Sequence, residues 1–198
     1  MTPDQISAFF VFALVAAVTP GPSNLLVLSS GARAGIVGGL PCLAGVVIGM
    51  ALLMAAAALG LGSVMNAWPA SLLILRWVGS IFLLWLAWKI ASAPPIRGQS
   101  EERLVGFWRA FAFQWVNPKS WVVGASAAST FGAIGDAGSV ERAITLGAVF
   151  AAAAAPSCAL WLVFGASMQR LLTSESRSRW FNIGMGLALA ASVLLVAL

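Results

Sequence analysis

The chain has 198 residues, of which 61% are hydrophobic and only 9% charged, where soluble domains carry roughly 25% charged residues. With a mean hydropathy of +0.96 it reads as one integral membrane domain with no room for a second, soluble one. Histidine and tyrosine are absent, which excludes histidine-dependent catalysis, and the net charge of +5 reads in such a chain as a topology signal, so no nucleic-acid partner is expected.

A spanning helix needs about 20 apolar residues, and the charged positions divide the chain into six predicted spans: 6–28, 38–62, 70–92, 107–130, 143–168 and 180–198. Met1 to Gln5 carry Asp4 where a cleavable leader has basic residues, so the first apolar stretch is expected to be retained. That first span contains Thr19-Pro20-Gly21-Pro22-Ser23-Asn24. Its prolines remove the amide donors to the carbonyls of Ala16 and Val18, so the helix has to open there.

A connection with Gly31, Arg33, Gly35 and Gly39 leads to the second span, where Gly45 and Gly49 have the spacing that lets helices approach closely and permits a homodimer. The turn to the third span lies at Gly60 to Ser63 and Asn66 to Pro69, and Arg76-Trp77 reads as an interfacial anchor. The only sustained polar linker, 93–106, holds Pro94, Pro95, Arg97, Glu101, Glu102 and Arg103 and divides three helices from three.

The fourth span is interrupted in turn. In Gln114-Trp115-Val116-Asn117-Pro118-Lys119-Ser120, Pro118 removes the donor to the Gln114 carbonyl, and Trp115 and Trp121 flank the break. The fifth span contains Pro156-Ser157-Cys158, and the sixth opens on Arg179-Trp180.

Arg33, Lys89, Arg97, Arg103, Arg109, Arg170, Arg177 and Arg179 fall on one side and Arg142 on the other, so both termini are expected outside the cytoplasm. The second triple of helices then enters the membrane in the opposite sense to the first, the geometry of an inverted repeat. At ~1.5 Å per residue, Pro20 lies ~21 Å below the outer face and Pro118 ~17 Å above the inner face of a ~30 Å core. Paired interruptions of this kind point to a transporter site. Free carbonyls at Ala16, Val18 and Gln114 can receive an ammonium, and the helix restart at Ser23 and Asn24 a carboxylate. Lys119 can pair with that carboxylate or change its protonation between states. The ligand expected is therefore a small zwitterion.

Intramembrane carboxylates and histidines are lacking, so no metal or other cofactor is expected and an ion permease or intramembrane enzyme is disfavoured. Competing readings are export of another small metabolite and a membrane thiol–disulfide carrier using Cys42 and Cys158, although neither cysteine has a cation near it in sequence.

At these motifs the chain resembles the LysE/RhtB family of bacterial amino-acid exporters, through Thr19 to Pro22 and Asn117 to Lys119. The likeness continues in Gly31, Gly35, Gly39, Gly45, Gly49, the run Trp85 to Lys89, and Phe107. Within the family it looks most like the cysteine/O-acetylserine exporter branch, on Ser23-Asn24, Ala87 to Ala91, Phe107-Trp108, Phe111 to Gln114 and Ala128 to Phe131. The resemblance implies proton-driven antiport of small neutral amino acids or derivatives, of cysteine/O-acetylserine or threonine/homoserine type, out across the bacterial inner membrane. Substrate binding is expected at Thr19, Pro20, Gly21, Pro22, Ser23, Asn24, Gln114, Asn117, Pro118 and Lys119, and to be lost on Asn117→Ala or Lys119→Ala. Lys119 is the only central titratable candidate for the coupling proton.

Overall fold

The computed structural model describes residues 1–61, 69–93, 105–131, 139–169, 172 and 174–197. Among these are α1 (Pro3–Val18), α2 (Pro22–Ala56), a π-helical turn (Ala57–Leu61), α3 (Pro69–Ala91), α4 (Phe107–Val116), α5 (Pro118–Phe131), α6 (Ser139–Gln169) and α7 (Glu175–Ala197), and no strand. The turn expected around Gly62 to Trp68 and the linker from Pro94 to Leu104 lie outside the described residues, as do Arg97, Arg103 and Arg170.

Three helices start earlier than expected. The Thr2 hydroxyl accepts from the Gln5 amide while the Gln5 side chain accepts from the Thr2 amide, a capping box that begins α1 at Pro3. In α6 and α7 the first turns contain Glu141 and Glu175, carboxylates that the positive end of a helix favours.

Gly35 has φ 69° and ψ −170°, a backbone region open to glycine and costly for other residues. In a straight helix Gly31 and Gly39 would stand about 12 Å apart. Here a Cβ on Gly39 would come 3.4 Å from the Gly31 nitrogen, and both glycines abut Leu162. The chain therefore doubles back at Gly35, and α2 is two arms, 22–34 and 36–56, in keeping with separate first and second spans.

The second arm of α2 and α6 run antiparallel through the centre. Gly39 meets Leu162 at one end, and a Cβ on Gly147 would lie 2.9 Å from the Ala51 carbonyl at the other. α4 packs on the same arm at Gly45 and Gly49, where a Cβ on Gly49 would lie 2.8 Å from Gln114 Cγ. The first arm packs on α6 where Gly165 abuts the Leu28 carbonyl, and α3 packs on α7 through Gly186, 2.6 Å from the Ala87 carbonyl by the same measure. The glycine faces that would have permitted a homodimer are thus used inside the protomer, because backbone-to-backbone approach needs a missing Cβ and these helices spend it on each other.

Arg33 donates to Asn182 Oδ1 at 3.4 Å and Asn182 donates to the Ala93 carbonyl at 3.1 Å, which gathers the Gly35 turn, the end of α3 and the start of α7 at one end of the bundle. At the other, Phe131 at the end of α5 packs edge-on against Phe9 and tilted against Phe12 of α1, with centroids 5.1 and 5.8 Å away. The outer surface is apolar: Trp77, Ile81, Trp88, Leu160 and Trp180 are exposed, a surface suited to lipid. By length and composition the stretches Pro22–Gly60, which contains the fold-back at Gly35, and Val140–Met168 are apolar enough to cross a membrane.

Candidate functional site

Both interruptions are present and they touch. α1 ends at Val18, and Gly21 is extended, with φ −175° and ψ 179°, before α2 restarts at Pro22. The opening is wider than the missing proline donors alone require, and it releases the carbonyls of Ala17, Thr19 and Pro20 as well as that of Val18. Donors from elsewhere meet them. Asn24 Nδ2 donates to Ala17 at 3.0 Å and to Thr19 at 2.9 Å, Trp161 Nε1 to Val18 at 3.4 Å, and Lys119 Nζ to Thr19 at 2.7 Å with Pro20 3.4 Å away. Free carbonyls at membrane depth have to find such partners.

The second interruption is a single residue. Asn117 is extended between α4 and α5, its Oδ1 accepts from the Lys119 amide at 3.1 Å, and its carbonyl accepts from the Ser120 amide at 3.0 Å. Its Nδ2 donates at 3.1 Å to Ser23 Oγ, which donates at 2.8 Å to Gln114 Oε1. Ser120 Oγ donates to the same Gln114 oxygen at 3.2 Å, and Gln114 Nε2 donates to the Ala110 carbonyl at 3.0 Å. Asn117, Gln114 and Ser120 are all buried. In a low-dielectric interior a fully satisfied network of this kind fixes the two broken helices against each other.

Between the breaks lies a cavity of about 410 Å³, its open mouth included. Gly21, Ser23, Asn24, Asn117, Lys119 and Ser120 form its polar wall. The second arm of α2 and α6 supply the apolar wall, Val46, Met50, Phe150, Ala154 and Cys158. Lys119 is the only charged side chain among the lining residues.

Of the residues expected at the site, Gly21, Ser23, Asn24, Asn117 and Lys119 reach the cavity. Thr19 and Pro20 do not line it but hold the lining Lys119 through their carbonyls, and Gln114 stands behind the wall, where it holds Ser23 and Ser120 in place. Pro22 and Pro118 start α2 and α5 and act on the backbone alone. Lys119 turns towards the first break, whose carbonyls are its partners. Trp115 and Trp121 pack edge-to-face at 6.0 Å, and Trp121 Nε1 donates to the Trp115 carbonyl at 2.8 Å. They brace the break from behind.

Sequence reading missed Ser120, whose signal was its place in the first turn of the helix that restarts at Pro118. It also missed Met50, Phe150 and Ala154, which look like any apolar residue of a membrane helix. Cys42 and Cys158 are free thiols, 0% and 2% exposed.

The LysE type translocator family model matches residues 14–198. The chain belongs to that family. The translocator is 40% identical over 131 residues to cysteine/O-acetylserine efflux proteins of Salmonella choleraesuis and Klebsiella pneumoniae, covering 66% of this chain and 67% of each relative. It is 39% identical over the same length to the protein of that name from Escherichia coli O1:K1 / APEC. No solved structure matches it.

Proposed function

We propose that the translocator exports a small neutral amino acid or derivative, of cysteine or O-acetylserine size, across the bacterial inner membrane by proton antiport. The observation that carries this is the meeting of two interrupted helices at a cavity with one polar wall, one apolar wall and a single charge. Carbonyls of the first break take the ligand's ammonium. The amides of Ser23 and Asn24 take its carboxylate, since the N-cap Gly21 has no side chain to close that turn. The uncharged side chain lies against Val46, Met50 and Phe150, where a charge would be left unpaired.

Alternating access follows from two inverted triple-helix repeats. If the α1–α2 first-arm span corresponds to α4–α5, the second arm to α6, and α3 to α7, then the packing of the first span on α6 at Leu28 and Gly165 has its counterpart in α5 on the second arm at Gly124 and Leu53. The central antiparallel pair and the α3–α7 pair map onto themselves. The gathering of Arg33, Ala93 and Asn182 at one end supports a cytoplasmic face there and both termini outside.

Uptake of labelled cysteine, O-acetylserine, threonine, homoserine and lysine into inverted vesicles, with and without a proton gradient, tests the reading. Gradient-dependent accumulation of cysteine or O-acetylserine, and none of lysine, is the expected result. Accumulation of none of the neutral amino acids overturns it.

A further inference from the structure

The cradle at the first break is already filled by an ammonium. Lys119 Nζ lies 2.7 Å from the Thr19 carbonyl oxygen and 3.4 Å from that of Pro20, a primary ammonium held by backbone oxygens, which is the chemistry a transported amino acid offers. A carbonyl oxygen has two lone pairs. At Thr19 both are taken, one by Asn24 Nδ2 at 2.9 Å and the other by Lys119. A second ammonium therefore enters only when one of these leaves.

The two occupants are not equally fixed. Asn24 is buried and also bonded to the Ala17 carbonyl at 3.0 Å. Lys119 is half-buried, on a flexible four-carbon stem. Its stem crosses Gly21 so closely that a Cβ there would lie 2.9 Å from both Lys119 Cδ and Nζ. Thr19 and Pro20 are exposed and flank Gly21, which lines the cavity together with Lys119, so their carbonyls are not shut away behind the buried wall.

We infer that the Thr19 and Pro20 carbonyls are the ammonium subsite of the transported ligand and that Lys119 is a tethered competitor for it. The inference rests on the proposed function. Binding of each ligand displaces the lysine, so the apparent dissociation constant is the intrinsic one divided by the fraction of time the cradle is open. A lysine that holds it about nine-tenths of the time weakens binding about tenfold. A lysine that served only to pair the ligand's carboxylate would have the opposite effect on removal.

The test is equilibrium binding to the purified protein in nanodiscs, comparing wild type with Lys119→Met. The probes are cysteine, cysteine methyl ester, which keeps the ammonium alone, and 3-mercaptopropionate, which keeps the carboxylate alone. The methyl ester is expected to bind about tenfold more tightly to Lys119→Met, with no gain for 3-mercaptopropionate. Gly21→Ala, which pushes the lysine end off the cradle while keeping its charge, is expected to shift the ester in the same direction and serves if Lys119→Met does not fold. Cysteine binding to wild type, with the ester unchanged or weaker in both variants, overturns the competitor and leaves the exporter reading intact. No binding of any probe to wild type or variants overturns both.

Discussion

The two breaks differ in how they are made whole. At the first, the chain is extended over several residues and its carbonyls are met by side chains of other segments, Asn24, Lys119 and Trp161. At the second, one residue is extended and its own side chain closes the gap through Lys119 N and Ser23 Oγ. The first break offers exposed backbone; the second offers side chains from a buried wall. Breaks made by similar proline chemistry thus yield exposed carbonyls on one side and a buried scaffold of side chains on the other.

The contrast is broken most severely by detaching the scaffold. A Cβ on Gly45 would meet the Phe107 carbonyl and come 2.9 Å from Ala110 Cβ, so Gly45→Val forces α4 away with an overpacking cost of about 3 kcal/mol or more. Thermal melting followed by fluorescence-detected gel filtration is expected to show loss of the folded species, and a native melting point would contradict the packing.

A finer cut compares one residue from each break. Asn117→Ala removes a donor to Ser23 and the cap on the Lys119 amide, about 2–3 kcal/mol, so transport should fall roughly 30- to 150-fold. Thr19→Ala keeps its carbonyl and removes only the hydroxyl bond to Val15 at 2.6 Å, so the fall should be about threefold. Initial rates in vesicles at matched protein levels measure both. Equal losses would mean that the two breaks do not divide the work as described.

On the apolar wall, Phe150 is 2% exposed and faces the cavity. Phe150→Ala should let leucine and methionine compete with cysteine about tenfold better, read from inhibition of labelled uptake. The smallest effect belongs to the double variant Cys42→Ala, Cys158→Ala, which should transport within about twofold of wild type if thiol chemistry plays no part.

Much of the fold was legible because a bilayer imposes a simple rule. Apolar length sets the spans, and charge, glycine and proline end or open them. Pro20, Pro22 and Pro118 declared both breaks, and Gly35 lay in the connection expected between the first two spans. Helix starts were less legible, because Thr2, Glu141 and Glu175 act through terminal amides and dipoles that hydropathy does not register. Legibility was lower still for the apolar wall, since Phe150 and Ala154 carry no chemical label that separates cavity from core.

The sequence by itself determined that this protein is a membrane bundle with two opened helices and a lysine beside the second opening, because those properties follow from residue type and spacing along one chain. Tertiary structure alone decided what faces what: that Lys119 crosses from the second break to the first, that Gln114 braces where it was expected to bind, and that the glycine faces close on their own protomer. Those outcomes depend on partners about 60 to 130 positions away in the chain, where local propensity has no reach and only close packing and the need to satisfy buried polar groups can choose.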